Sequence, residues 1–275
     1  MKAGILFVFF GWISTFSWSQ TLPWEPVNEG IRYCEIPCPS LSETGENRLC
    51  LLELSPEKLD FELVCASEKR EEPKTVTDWA QAHGFELVFN ASMYKLDQPL
   101  RSRGFLKNKN HHNQAIFHPD YRGLLAFQPI DSLKPPARLF DLECHSWDSL
   151  RRQYHCLGQG LRMLDCAGNP LSWNKKKQRC SMMLMAQDTA GKLYLVFCRS
   201  PFSHNQMIGF LKSLPLSLRQ ALYLEGGPET SLYLQVGNFR IEKVGSFVSD
   251  SYETDANNHF WKLPNVIGVK QKAPR

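Results

Sequence analysis

Residues 221–234 read ALYLEGGPETSLYL. Two short runs that alternate like strands flank Glu-Gly-Gly-Pro-Glu, so a strand ends in a carboxylate with two glycines beside it. A plain two-residue hairpin favours Asn-Gly or Asp-Gly at its centre. Glutamate is a poor turn former, whereas consecutive glycines accept φ > 0 and let backbone N–H groups approach a ligand closely. The stretch is therefore either a turn between strands or a carboxylate, Glu225, placed at a strand end over a floor made by Gly226 and Gly227.

Working outward, SMMLMAQ (181–187) and KLYLVFC (192–198) flank DTAG, a hairpin turn. SHNQMIGFLKSLP (203–215) has a Ser N-cap, apolar residues at helical spacing and a terminal Pro. A strand, helix, strand succession predicts a crossover that lays ALYL beside KLYLVFC in one sheet. Upstream, RLCLLEL (48–54), FELVCAS (61–67), FELVFNAS (85–92) and GLLAFQPI (123–130) read as strands, with SPEKLD joining the first two as a hairpin loop would. TVTDWAQAHG (75–84) reads as a helix capped by Thr75 or Thr77 and stopped by Gly84, and SWDSLRRQYHC (146–156) as a second helix candidate. KPPAR reads as a surface loop and not as a linker. The fold class expected is α+β: a single domain with a mixed, mostly antiparallel β-sheet core and a few short helices.

The 275 residues are 43% hydrophobic, ample for a buried core. Lys2, the apolar run GILFVFFGWISTF and the small residues around Ser17 and Ser19 read as a cleaved signal peptide over 1–19; the run is shorter than a spanning helix needs, which leaves a retained anchor as the lesser alternative. The protein is thereby expected to be exported, periplasmic or extracellular, with no stable membrane span after cleavage and residues 20–275 as the mature domain. Nine cysteines in an oxidising compartment permit disulfides, but the number is odd and spacing does not fix the pairing. A net charge of +4 with dispersed basic residues lacks the basic stripe of a nucleic-acid binder. The basic runs KNKNHHN (107–113) and KKKQR (175–179) read first as solvated turns. No metal-ligand spacing appears around His111 and His112, and no nucleophile elbow, zincin or phosphate-loop signature occurs, so neither metal nor cofactor is expected.

Two further stretches carry candidate site residues. FELVFNASMYKLDQPLRSRG (85–104) ends a strand in Asn90, followed by small Ala91 and Ser92 and then by Arg103. HCLGQGLRMLD (155–165) sets Gln159 between glycines and follows it with Arg162, a side chain suited to bidentate recognition of phosphate or carboxylate. Arg179 closes KKKQR and can join it. Each has a structural reading beside the functional one, since Asn routinely caps its own loop.

Taken in order, these segments resemble the phosphodiester glycosidase family, whose best-known member is the uncovering enzyme that removes N-acetylglucosamine from phosphomannose. LPWEPVNEGIRY (22–33) is similar to that family's opening strand, and TVTDWAQAHG with FELVFNASMY is similar to its helix and Asn-Ala-Gly block. GQGLRML, DTAGKLYLVF, ALYLEGGPETSLYL and LPNVIGVK (263–270) complete the series. Many members write Asp-Gly-Gly where this chain has Glu225-Gly226-Gly227, and Asn-Ala-Gly where it has Asn90-Ala91-Ser92; Glu-Gly-Gly-Pro-Glu is associated with a bacterial subgroup. The resemblance implies hydrolysis of the glycosidic bond of a GlcNAc-1-phosphodiester-like substrate in envelope or extracellular glycan, such as exopolysaccharide. Glu225 is then the expected catalytic carboxylate, Asn90 is expected to bind a sugar hydroxyl, Gly226 and Gly227 to let the sugar approach the backbone, Gln159 to bind substrate, and Arg103, Arg162 and Arg179 to hold phosphate. The alternative is a non-catalytic envelope protein that binds polysaccharide or phosphosugar on the same fold.

Overall fold

The Glu-Gly-Gly-Pro-Glu segment is a passage between two sheets. The computed structural model describes residues 21–95, 97–174 and 178–273; the expected signal peptide and Lys175–Lys177 of KKKQR lie outside the described residues. In chain order the strands are β1 (Glu25–Pro26), β2 (Ile31–Pro37), β3 (Arg48–Leu54), β4 (Leu59–Cys65), β5 (Leu87–Asn90), β6 (Leu106–Asn108), β7 (His111–Gln114) and β8 (Gly123–Pro129). They continue as β9 (Ala137–Asp141), β10 (Tyr154–Leu164), β11 (Arg179–Asp188), β12 (Leu193–Ser203), β13 (Leu218–Gly226), β14 (Ser231–Val236), β15 (Phe239–Val244) and β16 (Asn265–Gln271). The helices are α1 (Ala66–Lys69), α2 (Val76–His83), α3 (Trp147–Leu150) and α4 (His204–Ser213).

An eleven-stranded sheet runs β1-β2-β3-β12-β11-β13-β10-β6-β7, with β8 paired to β10 and β9 to β8. A five-stranded sheet runs β15-β14-β5-β16-β4. β13 thus belongs to the large sheet and β14 to the small one, and the short turn Gly227–Glu229 carries the chain across. Alternation decides what each strand buries. Leu222, Leu224, Leu232 and Leu234 enter the core shared by both sheets with Met183, Met185, Phe89 and Ile267. Ala221 and Tyr223 pack on the other face of the large sheet, where Met207, Ile208 and Leu211 of α4 cover it. α2 covers the outer face of the small sheet through fully buried Trp79, whose Nε1 donates to the Leu263 carbonyl at 3.0 Å.

The α+β class and antiparallel core agree with the sequence reading. So do the helix ends: Thr75 accepts from the Asp78 amide, Gly84 closes α2 at φ 65°, and Ser203 and Gln206 form a capping box on α4. Three expectations change. SPEKLD is no hairpin loop, because β3 pairs with β2 and β12 while β4 pairs with β16. ALYL shares a sheet with KLYLVFC but does not lie beside it, since β11 stands between them and pairs with both. The segment 146–156 is helical only over Trp147–Leu150; from Tyr154 it is strand, with Leu157 and Cys156 held by β8 and β6. Among the described residues no helix is long and apolar enough to cross a membrane.

Candidate active site

A cavity of about 680 Å³ opens where β13 leaves the large sheet. Glu225 reaches it because the β11–β13 register slips: Met183 faces Glu225 but Leu184 faces Tyr223, so Leu224 is an extra residue. A bulge of this kind re-aims a side chain at a strand end. The two glycines follow from local geometry. A Cβ on Gly226 would lie 2.0 Å from the Tyr223 hydroxyl, and Gly227 sits at φ 79°, where a side chain is strained.

Glu225 is 6% exposed. Its Oε1 accepts from the Gly226 amide at 3.0 Å, while Oε2 is buried without a hydrogen-bond partner among the described residues. Burial, reinforced by the charge of Glu229, pushes its carboxyl up to about 8; the Gly226 N–H and Arg103 act in the opposite sense. Glu225 therefore holds its proton at neutral pH. Glu229, half-buried at the end of the same turn, also lines the cavity, and burial raises its carboxyl as well. Arg103 is the cation among the described lining residues, and its charge acts on both Glu225 and Tyr121.

The walls are aromatic. Trp173 stacks on His204 with centroids 3.9 Å apart, and His204 meets Tyr223 edge-on at 4.8 Å. Tyr121, also in the lining, stacks on His118 at 4.0 Å, and Tyr94 stands near both carboxyls, its phenol raised chiefly by burial. Cys180 also lines the cavity, but burial pushes its thiol up to about 12, which makes it an inert wall and not a nucleophile. The rim carrying Val248 and Ser251 is held through Arg199, whose Nε pairs with Asp255 at 2.8 Å and whose Nη2 donates to the Asp255 and Asn257 carbonyls.

Of the residues singled out from sequence, Glu225, Gly226 and Arg103 line this cavity, and Gly227 forms the turn beneath it. Asn90 stands behind the wall, 1% exposed: its Nδ2 donates to the Glu229 carbonyl at 3.0 Å and its Oδ1 accepts from the Ser231 amide at 2.7 Å. Gln159 likewise faces backbone, accepting from the Phe105 and His118 amides and donating to the His118 and Tyr121 carbonyls. It fixes the loop that presents His118 and Tyr121. Arg162 lies outside the lining, with Nη1 2.9 Å from both oxygens of Asp141, next to the Cys144–Cys166 disulfide. Arg179 lies over the Phe247 ring at 5.9 Å, although Gln178 and Cys180 on either side of it face the cavity.

Glu229, Tyr94, Tyr121, Trp173 and His204 were not singled out from sequence. For Glu229 a signal existed, a second carboxylate four residues after the first in EGGPE; the aromatic walls come from separate loops, the start of α4 and β13, with no common pattern. A carboxyl raised by burial, a second carboxyl and aromatic walls thus share one pocket that opens to solvent, and these are kinds of group that glycoside cleavage uses.

Comparison with known proteins agrees. The phosphodiester glycosidase family model matches residues 84–270, more than half of the chain. No curated protein matches it by sequence. Among solved structures it is similar to a hypothetical protein from Synechocystis, with TM-score 0.56 and 12% identity over 91% of this chain and 64% of that one. It is similar to the zebrafish N-acetylglucosamine-1-phosphodiester alpha-N-acetylglucosaminidase catalytic domain auto-inhibited by its pro-peptide, with TM-score 0.56 and 10% identity over 90% and 85%. A putative exported protein from Burkholderia pseudomallei is similar with TM-score 0.53 and 7% identity over 81% and 73%. At such identities the structures speak for the fold; the family match speaks for the class. The chain belongs to the phosphodiester glycosidase family, a family of glycosidases.

Proposed function

We propose that the protein is exported and hydrolyses the bond between the anomeric carbon and the bridging oxygen of a sugar-1-phosphodiester in envelope or extracellular glycan. The observation that carries this is Glu225: a buried carboxyl with one unpartnered oxygen, beside a second carboxylate, in a cavity that Arg103 also lines. From sequence, Glu225 was expected as the catalytic carboxylate. Its retained proton suits it to donate a hydrogen bond to the departing oxygen, and leaves the activation of water to Glu229. In this scheme the C1–O bond breaks with its electron pair going to the phosphoryl oxygen, which leaves as the monoester dianion while accepting a hydrogen bond from the Glu225 carboxyl. Water adds to C1 and gives its proton to Glu229. The products are the free sugar and a phosphomonoester, whose second pKa of about 6 makes it a good leaving group. Arg103 faces the single negative charge of the diester, and the aromatic walls pack against the sugar's apolar face.

The test is release of free sugar from a GlcNAc-α-1-phosphodiester. Glu225→Gln is expected to lower kcat by about 10²-fold or more, the low end for an acid–base group. Hydrolysis in heavy-oxygen water is expected to label the sugar. Wild-type activity in Glu225→Gln removes Glu225 from the reaction, and label in the phosphate moves the cleavage to the P–O bond. Binding of sugar phosphates without turnover returns the protein to the non-catalytic alternative.

A further inference from the structure

A second cavity, of about 580 Å³, opens at the opposite end of the same two strands and shares no lining residue with the first. Gln187 and Gln220 face each other in the β11–β13 ladder there. Gln220 precedes Glu225 by five residues, about 17 Å along a strand. The turns that close the cavity are Ser55–Lys58, Pro135–Arg138 and Asp188–Lys192.

Many of its polar groups are already spent. Asp188 accepts from the Ala190 and Lys192 amides and from the Tyr194 hydroxyl. Lys192 is paired with buried Glu53, Lys58 with Glu29, and both ends of the Gln187 amide are bonded to backbone. Three groups are left over. Gln220 is 5% exposed, lines the cavity, and its side-chain amide makes no hydrogen bond among the described residues. Arg138 lies over the Phe140 ring at 5.0 Å and pairs with no carboxylate there. Arg219 spends Nε on the Cys166 carbonyl and likewise has no acidic partner among the described residues. Against these two guanidinium groups stand two lining carboxylates without a cation of their own: exposed Glu57, and Asp188, whose oxygens are held by two backbone amides and the Tyr194 hydroxyl. The Gln220 amide opens onto the cavity, so its donor and acceptor are both free for a ligand hydroxyl. Guanidinium forks without acids are matched to a planar carboxylate.

We propose that this cavity binds a carboxylate-bearing saccharide, with Arg138 and Arg219 as counter-cations of the carboxylate and Gln220 bonded to a hydroxyl. The anion part stands on the lining alone; the saccharide part rests on the function proposed above. A site at this separation on one molecule would hold an acidic glycan and raise the effective concentration of its linkages at Glu225.

Titration calorimetry with hexagalacturonate, a neutral galactose hexamer and inorganic phosphate separates these parts. Hexagalacturonate is expected to bind in a salt-dependent manner, more than tenfold tighter than the neutral hexamer. Arg138→Ala and Gln220→Ala are each expected to weaken it at least tenfold while leaving hydrolysis of a small GlcNAc-phosphodiester unchanged. Absence of binding, equal binding of the neutral hexamer, or unchanged affinity in Arg138→Ala overturns the proposal. Phosphate binding as tightly as hexagalacturonate overturns its saccharide part. Assaying the parent for phosphodiester hydrolysis alongside keeps this outcome separate from the catalytic reading: hexagalacturonate binding by a parent that never hydrolyses the phosphodiester sinks only the latter, and hydrolysis without such binding sinks only the proposal made here.

Discussion

Glu225 keeps its proton to about pH 8, whereas the same side chain in the unfolded chain ionises near 4.5. Between those values the unfolded state releases a proton that the native state retains. Stability therefore falls as pH rises through the window and levels off above it. Glutamine has no proton to release and nearly the same shape, so Glu225→Gln removes this dependence. Thermal melts should show the variant more stable than the parent at pH 8.5, with the gap closing toward pH 4.5. A gap independent of pH would put the carboxyl in water. The destabilised side chain is the one proposed to act on the departing oxygen, as expected where function is obtained at some cost in stability.

The corner between β13 and β14 fixes both carboxylates, and Asn90 of β5 pins it. Removing the Asn90 amide leaves the Ser231 N–H and the Glu229 carbonyl short of their buried partner, which costs about 1–3 kcal/mol. Asn90→Ala is therefore expected to lower the urea midpoint and, because Glu229 loses its tether, to lower kcat more than it changes KM. An unchanged kcat would make the pin structural only. Gly226→Ala is expected to be harsher, since its methyl would overlap the Tyr223 hydroxyl. These elements also show what a sequence exposes. The caps at Thr75 and Ser203 and the carboxylate before Gly-Gly are local signals, and they were readable. The SPEKLD passage, the β11 strand between KLYLVFC and ALYL, and the pairing of Arg162 with Asp141 depend on which sheet a segment joins. Long-range packing decides that, and alternation alone does not encode it. Asn90 stood out as a strand end followed by small residues and Gln159 as an amide between glycines, yet whether such an amide faces ligand or backbone appears only when the neighbouring loops are in place.

Across the whole molecule, the cysteines divide by position. Cys144 and Cys166 form a disulfide between the end of β9 and the end of β10, closing a loop with a sequence separation of 22. The other seven are buried thiols. A cross-link over such a loop stabilises by about 3 kcal/mol through the entropy it removes from the unfolded chain. Opening it also frees the corner where Arg162 and the Cys166 amide bind Asp141. For a protein of this size that corresponds to a fall in Tm of roughly 6–12 °C. Reductant should therefore lower the Tm of the parent and leave Cys144→Ser/Cys166→Ser unmoved. Alkylation without reductant should label almost nothing in the native state, because all seven thiols lie inside, and seven positions after denaturation. Cys38 and Cys198 are the pair to watch, since their sulfurs lie 3.9 Å apart in the core beneath α4. Five labelled positions, with those two missing, would show a second cross-link tying the end of β2 to β12, and the Tm lost on reduction would then exceed what the Cys144–Cys166 loop alone can supply.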